Sequence, residues 1–142
     1  MVTDRMRKPR ALVIDDEPDI RDLLSITLAR MEIDVEVAGD YASALKLLGP
    51  ERFDLVLTDM RLPDGDGLDI LRAAPARGCD APIIVLTAHG TLGSDQAAMD
   101  LGVADFLDKS RIDATILERS IRYALSRRRQ AQRLSQLAQR DG

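Results

Sequence analysis

The chain has 142 residues, 45% hydrophobic and 31% charged, with a net charge of −4, one cysteine and no tryptophan. That suffices for one domain with a sizeable core and a short appendage. It excludes a bilayer span, since no apolar run approaches the ~20 residues required, and an intramolecular disulfide, since Cys79 stands alone. An aromatic content of 3% argues against base stacking on single-stranded nucleic acid. The basic N-terminus "MVTDRMRKPR" lacks the apolar segment of a secretory signal, so a cytoplasmic location is expected. Charge is unevenly spread. Residues 1–110 carry 12 basic and 21 acidic side chains, a net of −9, and residues 111–142 carry 8 basic and 3 acidic, a net of +5. DNA recognition by the basic tail would need a motif that is not visible, so "SRRRQAQR" reads as a solvated helix face.

"RALVID" is a short apolar run, and "PDIRDLLSITLARM" follows with apolar residues at helical spacing and Pro18 in its first turn. "IDVEVA" alternates as an edge strand does. "DYASALKLLG" is a helix with Asp40 as N-cap, closing at Gly49-Pro50. "FDLVLTD" is a strand, and "DGLDILRAAPARG" a helix that Pro75 should kink or end. "APIIVLTA" is the most hydrophobic strand, "GSDQAAMDLG" a short helix stopped by Gly102, and "ADFLDK" the last strand. Residues 113–139 contain neither Gly nor Pro and are helix-compatible throughout.

Strict alternation of strands and helices implies a parallel sheet covered on both faces. Ligands of such sheets bind beyond the carboxyl ends of the strands. Those ends carry Asp15 and Asp16, Asp59, Thr87 and Lys109. The acids around Asp59 do not form a calcium loop. From Asp59 the third and fifth positions are Arg61 and Pro63, and from Asp64 the fifth is Leu68, none of them an oxygen ligand. Clustered carboxylates without His or Cys suit a hard cation such as Mg²⁺. With that charge offset, Lys109 and Thr87 could meet the oxygens of a phosphoryl group, and a central carboxylate could take it up as an acyl phosphate.

"VIDDEP", "LVLTDMRLPDGDGLDIL", "PIIVLTA" and "GVADFLDK" together resemble, in order and spacing, the receiver domain of bacterial two-component response regulators. The resemblance covers roughly residues 10–126, preceded by a tail (1–9) and followed by a helical linker (127–142). It implies an α/β, flavodoxin-like (βα)5 three-layer sandwich with strand order 2-1-3-4-5 and an extended C-terminal helix. It implies Asp59 as phosphoacceptor from a sensor histidine kinase or histidine phosphotransfer protein, with Mg²⁺ held by Asp16, Asp59 and the Arg61 carbonyl, and by Asp15 mostly through water. Thr87 and Lys109 become the phosphoryl-sensing pair and Phe106 the switch aromatic. Such a domain is not a conventional enzyme: it catalyses its own phosphorylation and slow autodephosphorylation. Pro63 and Gly67 shape the turn, while Asp64 and Asp66 cap helices rather than bind metal.

The family commonly follows the strand-five lysine with proline in a cis peptide. Here Ser110 follows, and a trans bond is the default because a cis bond before a non-proline residue costs about 2.5–4 kcal/mol. Phe106 stands where Tyr is common. Arg61 and His89 occupy positions that tune dephosphorylation in the family, His89 reading equally as an exposed loop residue. The tail "LSQLAQRDG" resembles linkers before diguanylate cyclase (GGDEF) domains, and Ala131, Leu134, Leu137 and Ala138 form a thin apolar stripe, so a linked output domain and a phosphorylation-enhanced homodimer are expected. Competing readings are a phosphorylation-independent docking receiver, whose acids would usually be broken, and a haloacid-dehalogenase-like phosphohydrolase. The latter needs a second Asp two residues after the nucleophile, where Arg61 stands.

Overall fold

Five short stretches become the parallel strands β1 (Arg10–Ile14), β2 (Asp34–Ala38), β3 (Leu55–Asp59), β4 (Ile83–Thr87) and β5 (Asp105–Asp108), ordered β2-β1-β3-β4-β5. The helices between and after them are α1 (Pro18–Arg30), α2 (Tyr41–Leu47), α3 (Gly67–Ala76), α4 (Leu92–Asp100) and α5 (Ala114–Asp141). The computed structural model describes residues 7–88 and 92–141. The order is the flavodoxin-like one expected from the sequence. β3 and β4 are buried at every position, as central strands covered on both faces must be, whereas β2 at the edge is largely half-exposed.

Alternation along the strands divides the interior into two cores. Leu12, Ile14, Val56, Ile83 and Val85 meet α2, α3 and α4 residues on one face, with Ile70 fully buried among them. Val13, Leu55, Leu57, Ile84 and Leu86 meet Leu24 and Leu28 of α1 and Leu117 and Ile121 of α5 on the other. No helix among the described residues is long and apolar enough to cross a membrane.

The local signals act largely as expected. Asp40 caps α2 by accepting from Ser43 N at 2.7 Å, and Pro18 opens α1. Asp66 caps α3 in a reciprocal box with Asp69 (2.9 and 3.1 Å), an arrangement that satisfies two otherwise orphaned amides. Pro75 does not end α3 at once: the helix runs on to Ala76, because a proline this near the terminus removes one hydrogen bond without displacing a following turn. α5 begins after Asp113, which accepts from Ile116 N at 2.9 Å, and reaches Asp141.

Two features were not expected from the sequence. Arg61–Leu62 pairs antiparallel with Gly65–Asp66, so the turn after β3 is a minute hairpin. Arg128 is not a solvated member of the basic run. Its side chain is 9% exposed and its Nη1 donates to Asp80 Oδ1 at 2.9 Å, with Nε 3.4 Å from Asp54 Oδ1.

Candidate functional site

β3 carries Asp59 to the carboxyl edge of the sheet, where it stays nearly buried at 6% exposure. Its Oδ1 accepts from Arg61 N at 3.2 Å and its Oδ2 from Lys109 Nζ at 2.8 Å. The chain can leave β3 this tightly because Gly67 has no side chain. Its amide donates to Met60 O at 2.7 Å, and a Cβ there would lie 3.1 Å from the Asp59 carbonyl oxygen.

Asp15, just past β1, is fully buried. Its Oδ1 accepts from Glu17 N at 2.9 Å, whereas Oδ2 lies 3.0 Å from Lys109 Nζ without the alignment of a hydrogen bond. Burial pushes its carboxyl above the ordinary range, against the opposing pull of the Glu17 amide and Lys109. Burial works against the Lys109 charge, yet the hydrogen bonds to Asp59 and Glu17 and the nearby negative charge of Asp15 outweigh it and hold the ammonium above its ordinary pKa. Carboxylate oxygens of Asp15, Asp16, Glu17 and Asp59 lie within 4.8 Å of one another. An all-oxygen cluster containing a buried carboxylate oxygen without a hydrogen-bond partner fits a small hard cation.

Thr87 ends β4, buried, and its carbonyl accepts from Lys109 N at 2.9 Å, which sets the lysine beside the neighbouring strand. No bond joins its hydroxyl to Asp59 or Lys109. The Lys109–Ser110 peptide is trans, as no cis bond occurs among the described residues. In place of the usual proline, Ser110 returns both its amide (2.9 Å) and its hydroxyl (2.7 Å) to Asp108 Oδ1, a local turn that supports the lysine. Phe106 lies opposite Val85 in the β4–β5 register and is half-buried against the α2–α3–α4 core. His89 lies outside the described residues.

Sequence reasoning missed two residues. Glu17 carries no role in the sequence reading, yet its side chain accepts from Lys109 Nζ at 2.8 Å. The third consecutive acid in "DDEP" was the available signal. Asp64 caps a helix as expected, but a distant one: it accepts from Tyr41 N (2.6 Å) and Ala42 N (3.0 Å) at the start of α2. No local spacing encodes that contact.

Residues 11–121 match the family of response regulator receiver domains. The chain belongs to that family. The receiver is 48% identical over 104 residues to the response regulator protein PilR of Pseudomonas aeruginosa, covering 73% of this chain and 23% of that protein. It is 35% identical over 97 residues to the regulatory protein LuxO of Vibrio cholerae, covering 68% of this chain and 21% of that one. The chain thus spans about a quarter or less of these curated relatives. Among solved structures, a response regulator receiver domain protein from Clostridium thermocellum superposes with a TM-score of 0.79 at 30% identity, over 87% of this chain and 98% of that one. The likeness to NtrX from Brucella abortus reaches a TM-score of 0.83 at 28% identity, over 92% of this chain and 30% of that one.

Proposed function

We propose that this receiver accepts a phosphoryl group on Asp59 from the phosphohistidine of a sensor histidine kinase or phosphotransfer protein in the cytoplasm. The 2.8 Å contact of Lys109 with Asp59, inside a cluster of acids at the carboxyl edge of the sheet, carries this reading. An Asp59 oxygen bonds to phosphorus as the nitrogen–phosphorus bond of the donor breaks, and the leaving imidazole retains the proton it needs for neutrality. Lys109 then balances charge on the phosphoryl oxygens, and the Thr87 hydroxyl donates to one of them. Asp15, Asp16, Asp59 and the Arg61 carbonyl would hold Mg²⁺, which when bound supplies the positive charge that lets an anionic donor approach.

Phe106 moving toward space vacated by Thr87 is the proposed switch, read out on α5. The exposure of Tyr123 (61%), Leu134 (68%) and Leu137 (50%) along that helix supports pairing of two phosphorylated copies. Couplings of about 1–3 kcal/mol would raise dimer affinity roughly 5- to 150-fold. The greater length of the curated relatives supports a linked output domain. That it is a diguanylate cyclase rests on the likeness of "LSQLAQRDG" alone. Incubation with acetyl phosphate and Mg²⁺ should add one phosphoryl group, absent in Asp59→Asn. Labelling that survives this substitution refutes the assignment, and a receiver that never labels favours a docking role.

A further inference from the structure

An ammonium has three N–H donors. Those of Lys109 face three carboxylates: hydrogen bonds run to Asp59 Oδ2 and Glu17 Oε1, both at 2.8 Å, and Asp15 Oδ2 lies at 3.0 Å. At rest two of its donors are taken by Asp59 and Glu17 and the third side is closed by Asp15 in an ion pair, so an incoming phosphoryl oxygen reaches the ammonium by displacing one of these carboxylates. Asp15 cannot do so cheaply. Its side chain has no exposure, and losing the ammonium would leave its charge buried beside Asp59. Asp59 is the bonding partner itself. Glu17 remains: its side chain is 58% exposed, and water replaces the lost contact at little cost.

We infer that Glu17 is a positioning residue that occupies, on Lys109, the place a phosphoryl oxygen later takes. It keeps the lysine aimed at Asp59 in the resting site and is displaced on phosphorylation. The role rests on the reading of Asp59 as phosphoacceptor, and it makes Glu17 a competitor that weakens binding of the phosphorylated-state ligand set. The reach of the side chain matters as well as its charge. Glu17→Asp keeps the carboxylate but shortens it by one methylene, so it too should lose the contact.

The test is beryllofluoride affinity at saturating Mg²⁺, followed by NMR, together with hydrogen exchange of the Lys109 ammonium. Glu17→Gln should bind beryllofluoride about 3-fold more tightly than the wild type. Its Lys109 ammonium should exchange faster in the free protein, and Glu17→Asp should behave alike. In a Lys109→Gln background the Glu17→Gln gain should vanish, because the effect passes through the lysine. A gain that persists there would show simple charge repulsion and overturn the inference, as would unchanged affinity in Glu17→Gln. A wild-type protein that binds no beryllofluoride would overturn the phosphoacceptor reading itself. That outcome is distinct from a wild type that binds and a variant that matches it.

Discussion

The Asp64 carboxylate accepts from the backbone amide of Tyr41 at 2.6 Å, joining the turn beside Asp59 to the start of a helix on another strand crossover. The same carboxylate takes the Ala42 amide at 3.0 Å, so two orphaned donors of α2 are met by one side chain. Asp64→Ala should cost about 1 kcal/mol, in the usual range for a lost N-cap. Urea unfolding checks this. A midpoint equal to that of the wild type would show that water serves these amides equally well.

Gly67→Ala should be harsher. The new methyl would meet the Asp59 carbonyl oxygen at 3.1 Å and Met60 Cα at 3.2 Å, both backbone atoms that cannot rotate away. A loss of about 1–3 kcal/mol is expected from such overpacking. Labelling of Asp59 should slow as well, since the strain falls on the Asp59 backbone itself. Unimpaired labelling at native stability would contradict this.

Asp15 gives a pH dependence of definite sign. Burial, the largest influence, places its folded-state pKa above the ordinary value of 3.8. Between those two values the folded chain holds a proton that the unfolded chain has released, so stability falls as pH rises through the window. Asp15→Asn should flatten that limb and raise the urea midpoint at neutral pH in the absence of Mg²⁺. A lower midpoint for Asp15→Asn would mean that the Lys109 contact outweighs burial.

Magnesium should stabilise the fold by mass action, by about 2.7 kcal/mol at one hundred times its dissociation constant. Asp16→Ala should reduce that gain by removing an exposed carboxylate of the cluster while leaving the core untouched. Thermal melts with and without Mg²⁺ measure both. Equal shifts in the two proteins would remove Asp16 from the metal site.

Arg128→Lys should destabilise by roughly 1 kcal/mol, a value tempered by the 75% exposure of Asp80. A lysine keeps the charge but lacks the fork that spans Asp80 and Asp54 together. A substitution without effect on unfolding would reduce the bridge to a surface contact.

The sheet was legible because three strands are short apolar runs, the edge strands are bounded by turn residues, and alternation with helices leaves few topologies. The Asp59–Lys109 pairing was legible for the same reason: both residues follow directly from where strands stop. Glu17 was harder. A glutamate before proline satisfies helix-start chemistry by itself, and nothing local signals that its side chain turns toward a lysine 92 positions away. Asp64 and Arg128 fail similarly, since their partners lie 23 and 48 positions off. Propensity and periodicity report on neighbours along the chain, and these side chains answer to neighbours in space.

The Arg128 bridge also fixes where α5 stops belonging to the body. The described side chains from Arg129 to Ala138 are all exposed, while Arg128 is held against the ends of two crossovers. The 13 residues from Arg129 to Asp141 then extend about 20 Å as a helical arm at 1.5 Å per residue. A tilt of about 10° at this fulcrum would sweep the tip by roughly 3.5 Å over that length. Anything joined beyond Asp141 would take its heading from this anchor, at the edge of the sheet opposite the acids, so a small tilt there would be amplified at the tip.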